Sequence, residues 1–134
     1  MNREIKFRGK DPKGGWVEGC YFQDLTQGEM RSYIFQCPCQ YEVIPQTVGQ
    51  FTGLLDKNGK EIYEGDVIFS QKCDCRAILH KVEYNVDNAM FVAKPIQGWD
   101  FDFCQIRRDW IDKYGKEVIG NVFDNPELLK TETL

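Results

Sequence analysis

Glu42 to Asp66 reads EVIPQTVGQFTGLLDKNGKEIYEGD, and its centre, Leu54 to Tyr63, is two short apolar runs flanking Asp56-Lys57-Asn58-Gly59. Apolar runs of that length around a glycine-bearing polar turn predict a β-hairpin. Two loops fit the residues: a two-residue Asn58-Gly59 turn, or a type I turn over Asp56 to Gly59 with Gly59 in the left-handed position of a bulge. The shorter loop sets Lys57 opposite Lys60 and Asp56 opposite Glu61, two like-charge pairs that each cost about a few tenths of a kcal/mol. The bulged loop sets Asp56 opposite Lys60 and Leu54 opposite Ile62, so charge favours the bulge.

Strand signals continue outward from this block. Glu64-Gly65-Asp66 breaks the run, and Val67 to Ser70, Ala77 to Asn85 and Ala89 to Lys94 read as three further strands, a meander that can curl into a small barrel. Upstream, Ile5 and Phe7 alternate with Lys6 and Arg8. Asp11 to Gly15 supplies a turn, and Trp16 to Phe22 completes an opening hairpin. Leu25 to Glu29 is turn-like, Arg31 to Gln36 returns to β character, and Cys37-Pro38-Cys39 interrupts it, because proline is excluded from central strands. Downstream, Arg107 to Asp112 fits either a strand or a short helical turn, and Val118 to Phe123 is a closing strand. Asn125-Pro126 then caps a short C-terminal helix. The fold expected is mainly β: an N-terminal β hairpin and meander lobe over residues 1–50, then a lobe over 51–134, packed as one compact unit.

The same block resembles the YopX-like proteins, small products encoded mainly by bacteriophages, prophages and plasmids of bacteria. The opening Arg3-Glu4-Ile5-Lys6-Phe7-Arg8, the closing Glu117-Val118-Ile119-Gly120-Asn121-Val122-Phe123 and the following Asn125-Pro126-Glu127-Leu128-Leu129 carry the resemblance as well, so it spans the whole chain. Gly19 to Gln40 and Ser70 to Lys116 are not diagnostic. The resemblance implies a β-rich fold with an SH3-like barrel in its second half. It implies no activity, and no catalytic or binding residue comes with it.

Composition narrows the function classes. A chain of 134 residues with 42% hydrophobic and 13% aromatic residues can bury one moderate core or two small ones, and is too apolar for a disordered tail. The N-terminal residues lack the apolar core of a signal peptide and no run of eighteen apolar residues occurs, so the expectation is a protein of the bacterial host's cytoplasm with no membrane association. Six cysteines are then expected as free thiols. A net charge of −4 and a pI of about 5.0 disfavour non-specific nucleic-acid binding.

Among residues that could carry chemistry, Cys37-Pro38-Cys39 and Cys73-Asp74-Cys75 stand out, since four thiolates complete a tetrahedral zinc site. Structural zinc usually uses Cys-x-x-Cys, however, and buried or idle thiols are the plainer reading. His80, the single histidine, shares a predicted strand face with Ile78 and Val82, as a core or interface histidine would. Ser32 and Ser70 lie in no elbow motif, and nothing pairs a particular thiol with His80. Asp56 to Gly59 fails as a calcium loop because its glycine comes too early and the closing glutamate is missing. Trp99, Phe101 and Phe103 project from one predicted strand face, backed by Asp100 and Asp102 on the other. Such a stripe serves a core or subunit interface, a peptide groove, or base stacking, which the acids oppose. Arg107 and Arg108 beside Trp110, followed by Lys113 and Lys116, form one basic set, and Lys6, Arg8 and Lys10 on one strand face form another. Either could meet an anion or be a solvated face.

The function expected is that of a non-enzymatic, homo-oligomeric binding module for a host or phage macromolecule, without a cofactor. The binding or interface candidates are Trp99, Phe101, Phe103, Arg107, Arg108 and Trp110. Two alternatives stand beside it: a nucleic-acid-binding accessory protein, and a zinc-binding module using Cys37, Cys39, Cys73 and Cys75.

Overall fold

The computed structural model describes residues 2–70, 79–96 and 104–129. It is mostly β, with two antiparallel sheets and one α-helix. The chain divides into two compact units, Met1–Gly53 and Leu54–Leu134.

The first unit is built from strands β1 (Phe7–Lys10), β2 (Trp16–Thr26), β3 (Glu29–Gln36) and β4 (Cys39–Val43), a 3-10 turn at Pro45–Thr47, and the greater part of β5 (Gly49–Leu55). Its sheet order is β4-β3-β2-β1-β5. Alternation places Val17, Ile34 and Val43 inside, with Phe7, Tyr21 and Val48 packed against them. So small a core holds little apolar area, and the remaining stability must come from satisfied backbone and turn hydrogen bonds. Two such bonds tie the chain after β4 to the end of β1: Ile44 donates its N–H to the Lys10 carbonyl at 2.8 Å, and the Lys10 N–H is taken by Thr47 Oγ1 at 2.9 Å. Cys37-Pro38 forms the tight β3–β4 turn with a cis peptide, so the proline lies outside the ladder.

The second unit continues through β6 (Glu61–Tyr63), β7 (Asp66–Ser70), β8 (Leu79–Asn85), β9 (Met90–Pro95), β10 (Cys104–Gln105), helix α1 (Arg108–Tyr114), β11 (Lys116–Asn121) and a 3-10 turn at Pro126–Leu129. Its five-stranded sheet runs β10-β9-β8-β7-β11. Central β7 carries Val67 and Ile68 on opposite faces, both fully buried, which explains an apolar run there in place of an alternation. Ile62, Ile68, Val82, Ala93, Trp110 and Ile111 form the core. The segment that fits strand or helix by pattern is helix α1, stopped by Gly115 in the left-handed conformation at φ 59°. The C-terminal turn at Asn125-Pro126 is 3-10 rather than α.

One polar device is used twice. In Asp56 to Lys60 the Asp56 N–H reaches the Lys60 carbonyl at 2.7 Å, the Gly59 N–H returns to the Asp56 carbonyl at 3.0 Å, and Gly59 sits at φ 84°. This is the bulged loop that charge pairing favours. Asp56 Oδ1 also accepts the N–H groups of Asn58 and Lys60, at 2.8 and 2.9 Å. Asp11 to Gly15 repeats the pattern: Asp11 Oδ1 takes the N–H groups of Lys13 and Gly15, both at 2.9 Å. Asp56 does one thing more. It is 4% exposed, and its Oδ2 accepts the Val118 N–H of β11 at 2.9 Å, tying a local turn to a strand 62 residues away.

Candidate functional site

A groove of about 490 Å³ opens in the first unit, where its sheet changes partners. Strand β2 pairs with β1 as far as Gly19, opposite Phe7, and with β3 from Cys20 onward, opposite Phe35. Gly19 makes that exchange possible. A Cβ there would sit 2.1 Å from the Phe35 carbonyl oxygen, at a φ of 157°, so only a residue without a side chain lets the two backbones come so close. Upstream of Phe7 the chain turns toward β5, where the Lys6 carbonyl accepts the Phe51 N–H at 2.9 Å. Lead-in and strand part company, and the groove lies between them, lined by Glu4, Ile5, Lys6, Glu18, Gly19, Cys20, Phe35, Gln36 and Cys37.

Its chemistry suits recognition. Ile5 and Phe35 are each 42% exposed and offer apolar contact surface. Glu4, Glu18 and Lys6 surround them, with Lys6 Nζ 3.6 Å from Glu4. The lining thus carries two carboxylates and one ammonium around an apolar floor, a composition that suits an apolar side chain flanked by a cation. The thiols of Cys20 and Cys37 are exposed beside it. No imidazole accompanies them: His80, the single histidine of the chain, is fully buried on β8, edge-on to Trp110 at a ring separation of 5.7 Å.

The cations of the lead-in and β1 are not a freely solvated row. Arg8 lies 4.6 Å and Lys10 5.5 Å from the Trp16 ring centre, and Lys6 Nζ lies 5.2 Å from that of Phe51. Their aliphatic stems are half-buried along the rings, and each charge is held against a π face.

The residues marked in the sequence go to different places. Trp110 is 9% exposed and belongs to the core of the second unit. Arg107 and Arg108 are exposed at the start of α1, each near an acid of the same helix: Arg107 to Asp109 at 3.5 Å and Arg108 to Asp112 at 3.9 Å. Lys116 is no surface cation at all. It is fully buried, its Nζ 4.2 Å from the Trp110 ring centre and 5.5 Å from that of Tyr114. Cys37 and Cys39 are exposed at the β3–β4 turn. Trp99, Phe101, Phe103, Cys73 and Cys75 lie outside the described residues, as do Ile78 and the predicted strand start at Ala77. Among the described residues no three of histidine, cysteine, aspartate and glutamate gather as metal ligands.

Sequence reasoning missed the groove. The available signal was Gly19 itself, a glycine inside a strand pattern, which marks a bulge or a close backbone approach.

Residues 6–130 match the family model described as YopX protein. Among solved structures, the crystal structure of protein EF1440 from Enterococcus faecalis is similar, with 25% identity and a TM-score of 0.57 over 96% of this chain and 100% of that one. No curated protein matches. Among the described residues no helix is long and apolar enough to cross a membrane.

Proposed function

Given that the chain belongs to the YopX protein family, we propose that it works by binding rather than catalysis, as a homo-oligomer in the bacterial cytoplasm, in the service of a phage or prophage. The groove at Gly19 is the recognition surface, and its partner is a polypeptide segment that presents an apolar side chain next to a lysine or arginine. The observation that supports this is the groove's make-up: Ile5 and Phe35 left accessible among Glu4, Lys6 and Glu18, in a volume inside the roughly 300–1,000 Å³ range of ligand sites. An oligomer repeats the groove and multiplies a modest affinity.

The test pairs affinity purification from infected host cells with calorimetry on the purified partner. Phe35→Asp is expected to weaken binding at least tenfold while leaving the thermal midpoint within about 2 °C, since Phe35 is exposed. A partner bound equally well by this variant would remove the groove from the mechanism, and light scattering that finds a monomer at micromolar concentration would remove the oligomer.

The nucleic-acid reading draws on Arg107, Arg108 and the cations near β1, which are either set against neighbouring acids or laid over rings. A gel shift at low salt is expected to show no complex at micromolar protein. A shifted band that fades steeply with added salt would reverse that preference.

A further inference from the structure

We infer that strand β4 is a self-pairing edge through which two copies of this chain join their N-terminal sheets about a two-fold axis at Tyr41. The inference rests on the oligomeric reading above and deepens it.

The backbone supplies the first step. Cys37-Pro38 is a two-residue loop closed by the pair Gln36 and Cys39, so the N–H and C=O groups of Cys39, Tyr41 and Val43 face β3. Those of Gln40 and Glu42 face away from it. Ile44 follows the same alternation and confirms the direction, because its N–H already reaches across to the Lys10 carbonyl at 2.8 Å. β4 is the last strand of its sheet, and among the described residues the outward groups of Gln40 and Glu42 meet no other strand. Both residues are exposed, as is Tyr41 at 41%.

Side chains then select the occupant and the register. An exposed edge is normally guarded by charged side chains, lysine above all, by proline or by a bulge; Cys39-Gln40-Tyr41-Glu42-Val43 holds only Glu42, whose carboxylate lies 3.3 Å from Arg31 of β3. Only one antiparallel self-pairing uses all four outward groups of each copy: Gln40 opposite Glu42 of the second copy, and the reverse, with Tyr41 opposite Tyr41. In that register each carboxylate faces a neutral amide, whereas pairing Glu42 with Glu42 would oppose two like charges. The two exposed tyrosine rings meet on one face, while Val43, opposite Cys39, stays buried in the core of its own copy. The strand is complementary to itself, which is the requirement of a two-fold interface. A second copy therefore fits this edge better than an unrelated peptide, whose side chains the register would not match.

Sedimentation velocity and circular dichroism on the full chain and on Glu42→Pro and Glu42→Ala test this. The Glu42 N–H points outward, so proline there removes an edge donor and leaves the β3–β4 ladder intact. Alanine removes only the carboxylate and its 3.3 Å ion pair with Arg31. The expected result is a dimer for the parent chain and the alanine variant, and dimerisation weakened at least tenfold by proline with an unchanged circular dichroism spectrum. A parent dimer that proline leaves intact would overturn the edge pairing while the oligomeric reading survives; a monomeric parent would overturn both. If the proline variant does not fold, Tyr41→Cys decides. The facing tyrosines are a non-hydrogen-bonded pair with Cα atoms about 4.5 Å apart, within disulfide reach. Mild oxidation should cross-link that variant into dimers in excess of the parent chain, and equal cross-linking of the two would refute the register.

Discussion

Gly19→Ala is expected to unfold the N-terminal unit. A methyl group at this position meets the Phe35 carbonyl oxygen at 2.1 Å and its carbon at 2.9 Å, and both atoms are backbone, which cannot swing aside as a side chain could. Relief requires β2 and β3 to separate where their pairing begins, in a unit whose core cluster is small: Val17, Ile34 and Val43, with Phe7, Tyr21 and Val48 packed against them. The cost is about 3 kcal/mol or more, which for a unit of only 53 residues lowers the unfolding midpoint by roughly 25 °C. Gly28→Ala is the control: it too carries a positive φ, 82°, but nothing lies within 4 Å of the added atom, so it bears only the backbone penalty of about 1 kcal/mol. Thermal unfolding of the pair, read by tyrosine and tryptophan signals and by proteolysis of the N-terminal strands, separates strain from collision. Equal midpoints would mean that the close approach at Phe35 contributes nothing.

Asp56→Ala is expected to cost the second unit about 3–5 kcal/mol. One carboxylate, 4% exposed, satisfies three backbone N–H groups: Asn58, Lys60 and Val118, at 2.8, 2.9 and 2.9 Å. Hydrogen bonds to a charged acceptor contribute about 1.5–3 kcal/mol each, and the donors left behind are partly buried. Asp56→Asn keeps one acceptor oxygen and turns an N–H₂ group toward whichever donors lose theirs, so it should fall between alanine and the parent, at about 1–3 kcal/mol. Asp11→Ala, in the matching loop of the first unit, should cost less, because Asp11 binds two N–H groups of an exposed turn and reaches no distant strand. Denaturant unfolding of the three variants gives the ranking. An Asp56→Ala midpoint no lower than that of Asp11→Ala would show that the bond to Val118 adds nothing to the turn.

The two aspartates mark how far local chemistry can be read. Both loops announce themselves through aspartate followed three residues later by glycine, because the side-chain oxygen and the left-handed glycine act within five residues. The β character of Trp16 to Phe22 and Arg31 to Gln36 was legible for the same reason, as was the break at Glu64-Gly65-Asp66. Helix α1 was not: Arg107 to Asp112 holds one apolar pair, Trp110-Ile111, too few positions to distinguish a period of two from one of 3.6. Lys116 misleads more directly. Its charge reads as surface, and what buries it is the π faces of Trp110 and Tyr114, brought over the ammonium by the turn at Gly115.

Of the candidate site, the sequence held the parts without their assembly. Ile5, Cys20 and Phe35 are unremarkable in a list, and only the exchange of β2 from β1 to β3 gathers them around one opening. The open edge of β4 was hidden in the same way, since which strand ends a sheet depends on the whole order of pairing.

By itself, then, the amino-acid order determined that this is a β protein, where its chain reverses, and which side chains alternate across each strand. Those outcomes follow from steric and hydrogen-bonding preferences that act over a few residues. The tertiary structure alone decided which face of each strand is covered, that Trp110 and Lys116 lie inside while Phe35 and Tyr41 remain outside, and where a groove and an unpaired edge are left. Such outcomes depend on contacts between segments tens of residues apart, whose free energies appear only when the strands have paired into sheets.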